Sequence, residues 1–166
     1  MTEIIKERVT VDNKDEIVVF LIGMRVNKVW KLNKWLPVAM AMPRMIRELL
    51  AQPELGLLHA QTTLNFPTTI MIQYWRSYEQ LATYAANRNA AHLPAWRDFN
   101  RRVASNGDVG IWHETYRVPA GQYEAIYNNM PPFGLGTIYP LIPATGPRES
   151  SVARMAAKKR DELTHP

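Results

Sequence analysis

A strand that runs straight into a marked helix start constrains this chain most. Residues 68–74 (Thr-Thr-Ile-Met-Ile-Gln-Tyr) are β-branched and end in aromatics, and Ser77 follows with Gln80 three residues on. That spacing is a capping box, in which the Ser77 hydroxyl accepts from the Gln80 amide and the Gln80 side chain reaches back. A helix is therefore expected to begin just after Trp75. Leu81, Tyr84 and Ala85 share a face of it, and His92, Trp96, Phe99 and Val103 continue an apolar stripe to about Arg102, which turns His92 inward. Pro94 removes a backbone donor, so a kink or restart is expected near Leu93.

The remaining segments alternate in the same way. Glu16 to Met24 is apolar almost throughout and reads as a strand covered on both faces. Leu32, Trp35, Leu36, Ala39, Met42, Ile46, Leu49 and Leu50 recur at helical spacing, with a bend or break expected at Pro43 and a stop at Pro53. Leu57 to Leu64 and Thr69 to Tyr74 form a hairpin around Asn65-Phe-Pro-Thr68. Gly110 to Val118 is the fourth strand, after the turn at Ser105-Asn-Gly-Asp108.

Strand, helix, strand, strand, helix, strand is the order of the ferredoxin-like split βαβ fold: α+β, with a four-stranded antiparallel sheet and both helices on one face. Such a sheet leaves its second face bare. The doubly apolar first strand needs that face covered, which a second copy of the sheet would do, so a homodimer is expected. The domain reading is an N-terminal arm at 1–15 with a short strand at Val9 to Val11, an α+β domain at 16–130, and a C-terminal extension at 131–166. The extension ends in a polar helix from Ser150 to Leu163, capped by Ser150 or Ser151.

Composition narrows the function classes. The chain has 166 residues, 46% of them hydrophobic, and five tryptophans, enough for a real core. With no cysteine there is no disulfide framework, thiolate metal site or cysteine nucleophile. The N-terminus lacks a signal-peptide core and no run is long enough for a membrane span, so a soluble cytoplasmic protein is expected. Net charge is +5, spread rather than massed in a basic stripe, which argues against nucleic acid. Nucleophile elbow, phosphate loop, dinucleotide turn and metalloprotease helix are all missing from the sequence.

The fourth strand, Gly110-Ile-Trp-His-Glu-Thr-Tyr-Arg-Val, is followed by Tyr123-Glu-Ala-Ile-Tyr-Asn-Asn-Met-Pro and Gly134-Leu-Gly. Together these resemble the fumagillin-pathway monooxygenase-like family, over most of residues 16 to 140. The topology resembles the wider dimeric α+β barrel superfamily. That superfamily holds antibiotic-biosynthesis monooxygenases, haem-degrading monooxygenases, chlorite-dismutase-like proteins and aldoxime dehydratase. The resemblance implies a monooxygenase-like enzyme acting on a hydrophobic small molecule between sheet and helices. Antibiotic-biosynthesis members use no metal or flavin, so no cofactor is the first expectation and haem the alternative. In the haem-degrading members an asparagine, an aromatic and an axial histidine line the pocket, and Asn27, Tyr84 and His92 sit at comparable places here.

The candidate catalytic set is thus His92, Tyr84, Asn27 and Arg25. His92 could move protons or ligate a metal, or be a core-edge histidine bonded to a carbonyl. Arg25 could hold an anionic or carbonyl oxygen, or be a surface arginine. Trp75, Trp96, Trp112 and His113 are the candidate substrate contacts, against a plain core role for the tryptophans. His113 faces either the helices or the dimer interface, since strand parity allows both. If haem is bound, the axial ligand is His92 or His113. His59 has a weaker claim, and His165 lies in the tail. A non-catalytic ligand-binding protein is the remaining alternative.

Overall fold

The computed structural model describes residues 3–12, 15–87 and 106–155. His92, Trp96 and the expected continuation of the second helix past Asn87 lie outside the described residues. The element order is β1 (Val9–Val11), β2 (Ile17–Val26), α1 (Leu32–Ala51), β3 (Leu57–Asn65), β4 (Thr68–Trp75), α2 (Tyr78–Ala86), β5 (Val109–Val118) and β6 (Leu141–Pro143). The chain divides into two compact units, one of residues 18–116 and one of residues 1–17 with 117–166.

In the first unit the sheet order is β3-β4-β2-β5, which is the ferredoxin-like split βαβ arrangement. Pairing of β2 with β4 is antiparallel, with Val18 opposite Trp75 and Arg25 opposite Thr68. The β3–β4 hairpin turns at Phe66-Pro67, a cis peptide. Alternation along the strands sorts the side chains. Val18, Phe20 and Trp75 join Leu49 of α1 with Leu81 and Tyr84 of α2 in one core cluster. Fully burying each such side chain stabilises the fold by about 1.5–3 kcal/mol. Val19, Leu21, Ile70, Ile72 and Tyr74 point to the opposite face and are half-buried.

A register shift between Leu57 and His59 breaks the alternation in β3. The extra residue makes Ala60, rather than His59, continue the face of Leu57, and Ala60 packs against the same core cluster. His59 is thereby turned to the other face, where it pairs with Tyr74.

The first of the two helices departs from expectation. It runs unbroken for 20 residues through Pro37 and Pro43, so no break occurs at Pro43. Its apolar residues do not form one buried stripe either. Trp35, Ile46 and Leu49 pack inward, whereas Leu32, Leu36 and Leu50 are exposed at 57%, 47% and 60%. The reason is angular: eight apolar positions span more of the helix circumference than one sheet face can cover. The second helix, α2, ends at Ala86, where Asn87 is extended (φ −69°, ψ 114°) and its N–H bonds Tyr84 O; its expected run towards Arg102 lies outside the described residues. Asparagine competes for its own backbone and is a weak helix former.

The second unit pairs β1 with β6 antiparallel, Val9 opposite Pro143 and Val11 opposite Leu141. Its core is Val9, Val11 and Tyr127. The Tyr127 hydroxyl donates to Phe133 O at 2.8 Å and accepts from Gly136 N at 2.9 Å, tying down an otherwise irregular segment. Residues 151–155 are helical, and Ser150 is the cap, its Oγ accepting from Ala153 N at 3.0 Å.

Candidate functional site

The helix-covered face of the sheet carries a chain of buried polar groups. Trp75 is 1% exposed, and its Nε1 donates to Gln73 Oε1 at 2.9 Å. Gln73 in turn lies against Met71 Sδ, with Nε2 at 3.3 Å. The Trp75 ring lies 5.9 Å from Tyr84, tilted by 40°. Tyr84 is 7% exposed and reaches across to α1, where its hydroxyl donates to Glu48 Oε2 at 2.8 Å. Burial first, and the Glu48 bond second, push the Tyr84 hydroxyl far above its ordinary range, so it is a neutral phenol throughout the physiological range. Ser77 positions it. Its Oγ accepts from Gln80 N at 3.1 Å and starts α2 at the expected residue. The reciprocal half of the capping box does not form: Gln80 Nε2 donates instead to Glu54 O at 3.0 Å.

His113 stands on this same face, for its ring lies 5.6 Å from Phe20, a core-face residue of β2. That settles the parity left open by the sequence. The imidazole is exposed at the sheet's edge strand. Trp112 points the other way and lies over Gly23, where a Cβ would sit on its indole Nε1 and 2.8 Å from Thr69 O. It belongs with Tyr74 and Ile72 on the second face. Trp75 and Tyr84 are together, His113 shares their face, and Trp112 does not.

Asn27 and Arg25 sit at the opposite end of β2. Arg25 is seven positions along the strand from Val18, the partner of Trp75, or about 23 Å at 3.3 Å per residue. Arg25 is exposed, with Nη1 3.2 Å from Thr68 Oγ1. Asn27 Nδ2 donates to Gly107 O at 3.1 Å. Arg25 thus meets the start of β4 and Asn27 the loop that leads into β5, both at the far end of β2 from Trp75.

That loop holds a cluster the sequence reading passed over. Asp108, 1% exposed, takes Lys28 Nζ at 2.9 Å and Lys31 Nζ at 2.8 Å. The bonds from Lys31 and Lys28 hold its carboxyl below the usual range despite burial. Asn106 Oδ1 accepts from the Asp108 amide at 2.9 Å, which is why Asn-Gly-Asp reads as a turn. Lysines three residues apart at a helix start were the available signal. They direct the α1 entry rather than a reaction.

Among curated proteins none matches this chain. Solved structures with a similar backbone include SnoaB, a cofactor-independent oxygenase from Streptomyces nogalater. It is 14% identical, with 61% of this chain and 91% of that chain covered and a TM-score of 0.44. A dimeric ferredoxin-like protein of unknown function from Jannaschia is 17% identical, covering 61% and 99%, with a TM-score of 0.45. A dimeric protein of ferredoxin-like fold from Bacteroides fragilis is 12% identical, covering 61% and 95%, with a TM-score of 0.45. These are distant likenesses that say nothing of reaction or assembly here. The family match is of another order. The family described as Monooxygenase af470-like matches residues 17–135, from the start of β2 past Tyr127, and this chain belongs to it.

Proposed function

We propose that the protein is a monooxygenase-like enzyme that holds an apolar, ionisable small molecule against the helix-covered face of its sheet. The observation that carries this reading is the Tyr84 hydroxyl donating to Glu48 Oε2 at 2.8 Å beside the Trp75 ring, in a chain of a monooxygenase-like family. A neutral phenol bonded to a carboxylate is a proton relay. As Tyr84 oxygen takes the substrate's proton, its own proton passes to Glu48. The substrate anion can then react with dioxygen directly, one oxygen atom ending in a new carbonyl and the other in water. The substrate's own C–H bonds supply the electrons, so the reaction needs no cofactor. A homodimer joined through the second sheet face completes the proposal.

Oxygen uptake measured with a panel of apolar phenols and carbon acids tests it. Wild type should consume oxygen with at least one of them, and Tyr84→Phe and Glu48→Gln should each lower the rate by about 10²-fold or more. Full activity in both variants would remove the relay. Haem is the second reading, favoured by His113 on the helix-covered face with its ring 5.6 Å from Phe20. His113 would hold the haem iron through an imidazole nitrogen, with Phe20 beside it. A Soret band lost in His113→Ala would establish it.

A further inference from the structure

Leu32, Leu36 and Met40 follow one another at steps of four on α1, so they lie along one line of the helix surface. They are exposed at 57%, 47% and 51%. Just before the helix, Trp30 is 73% exposed. Arg44 continues the line one step further and Arg47 lies one turn beyond it, both exposed. From Lys28 to Arg47 the sequence holds five basic residues and no acidic one. Lys28 and Lys31 are matched by Asp108, and the next acid, Glu48, is hydrogen-bonded to Tyr84. Of the five basic residues, Arg44 and Arg47 are the exposed ones, and they give this face its outward charge.

The geometry points to an anionic lipid surface as the partner of this face. An apolar line on a basic helix, with a tryptophan at one end and arginines at the other, matches a helix lying in the plane of a bilayer interface. Its apolar side enters the headgroup boundary while the cations meet lipid phosphates. No helix of the described residues is long and apolar enough to cross a membrane, so the contact is peripheral. A second copy of the chain fits less well. Packing this stripe on itself brings arginines to a face that has no acid to receive them.

Sedimentation of the full chain with vesicles of phosphatidylcholine, alone or mixed with phosphatidylglycerol, tests the assignment. Binding should be at least tenfold stronger to the mixed vesicles and should fade as salt is raised. Each cation near such a surface contributes roughly fivefold, so Arg44→Gln with Arg47→Gln should cost more than about tenfold on mixed vesicles. Leu36→Glu with Met40→Glu should abolish binding while the circular dichroism stays native. Leu36→Gln, a milder change, carries the same test if the double variant does not fold. Equal, salt-independent binding to both vesicles, or binding untouched by the variants, would overturn the proposal. So would a fall in the protein's own light-scattering mass in Leu36→Glu with Met40→Glu, which would mark the stripe as a contact between protein chains.

Discussion

Asp108 and Tyr84 are driven in opposite directions by their neighbours, the one kept ionised by two lysines and the other kept protonated by burial and a carboxylate. For Asp108 the consequence is a pH-dependent contribution to stability. Its folded pKa lies below the unfolded value of about 3.9, so the contribution is present above that value and is lost as pH falls through the folded pKa. Asp108→Asn should then lower the urea midpoint at pH 7, and the loss relative to wild type should shrink towards pH 3. Equal losses at both pH values would mean that the lysines draw nothing from the carboxylate. The effect is moderated by the lysines, whose side chains are 40% and 38% exposed and can turn to water.

Within the elements, the start of α2 rests on one hydroxyl. Ser77→Ala should cost about 1 kcal/mol and lower the melting temperature by roughly 3 °C, since Gln80 N loses its acceptor and the Gln80 side chain is engaged elsewhere. Unchanged melting would show that packing of Leu81 and Tyr84 alone holds the helix end. Gly23 sets the course of Trp112 over the second face. Gly23→Ala should destabilise by about 1–3 kcal/mol in denaturant unfolding, because the new methyl meets both the indole and the Thr69 carbonyl. These two sites mark the limits of what the sequence told. Ser77 was legible because capping is local chemistry between residues three apart, and strand composition placed all four strands for a similar reason. His59 was not, since one extra residue in β3 reverses its face and nothing in the local composition announces it. Which apolar positions of α1 face outward was not legible, because periodicity shows that a face is apolar, not what covers it. The Asp108 cluster joins residues 77 and 80 apart in sequence, beyond the reach of any pattern within one segment.

At the scale of the whole molecule, the two ends of the chain form one body through β1 and β6, helped by the bridges Ile5 to Met130 and Val9 to Tyr127. The arm and the extension read as separate segments in the sequence are thus joined by pairing between strands about 130 residues apart. The other unit raises the question of assembly. Its second sheet face sets Val19 beside Tyr74, Leu21 beside Ile72 and Gly23 beside Ile70, with Trp112 laid over the glycine. A face of this composition gains more from a second apolar layer than from water, at roughly 25 cal/mol for each Å² removed. A copy of the same sheet offers the self-complementary surface that a two-fold axis requires. Light scattering at micromolar concentration should accordingly give twice the 19.1 kDa of one chain. Ile72→Lys, which places a charge at the centre of that face, should give a folded protein of 19.1 kDa. A wild-type mass of one chain would reject the dimer outright. A dimer that survives Ile72→Lys would place its contact on some other surface, the exposed line of α1 being the first to examine.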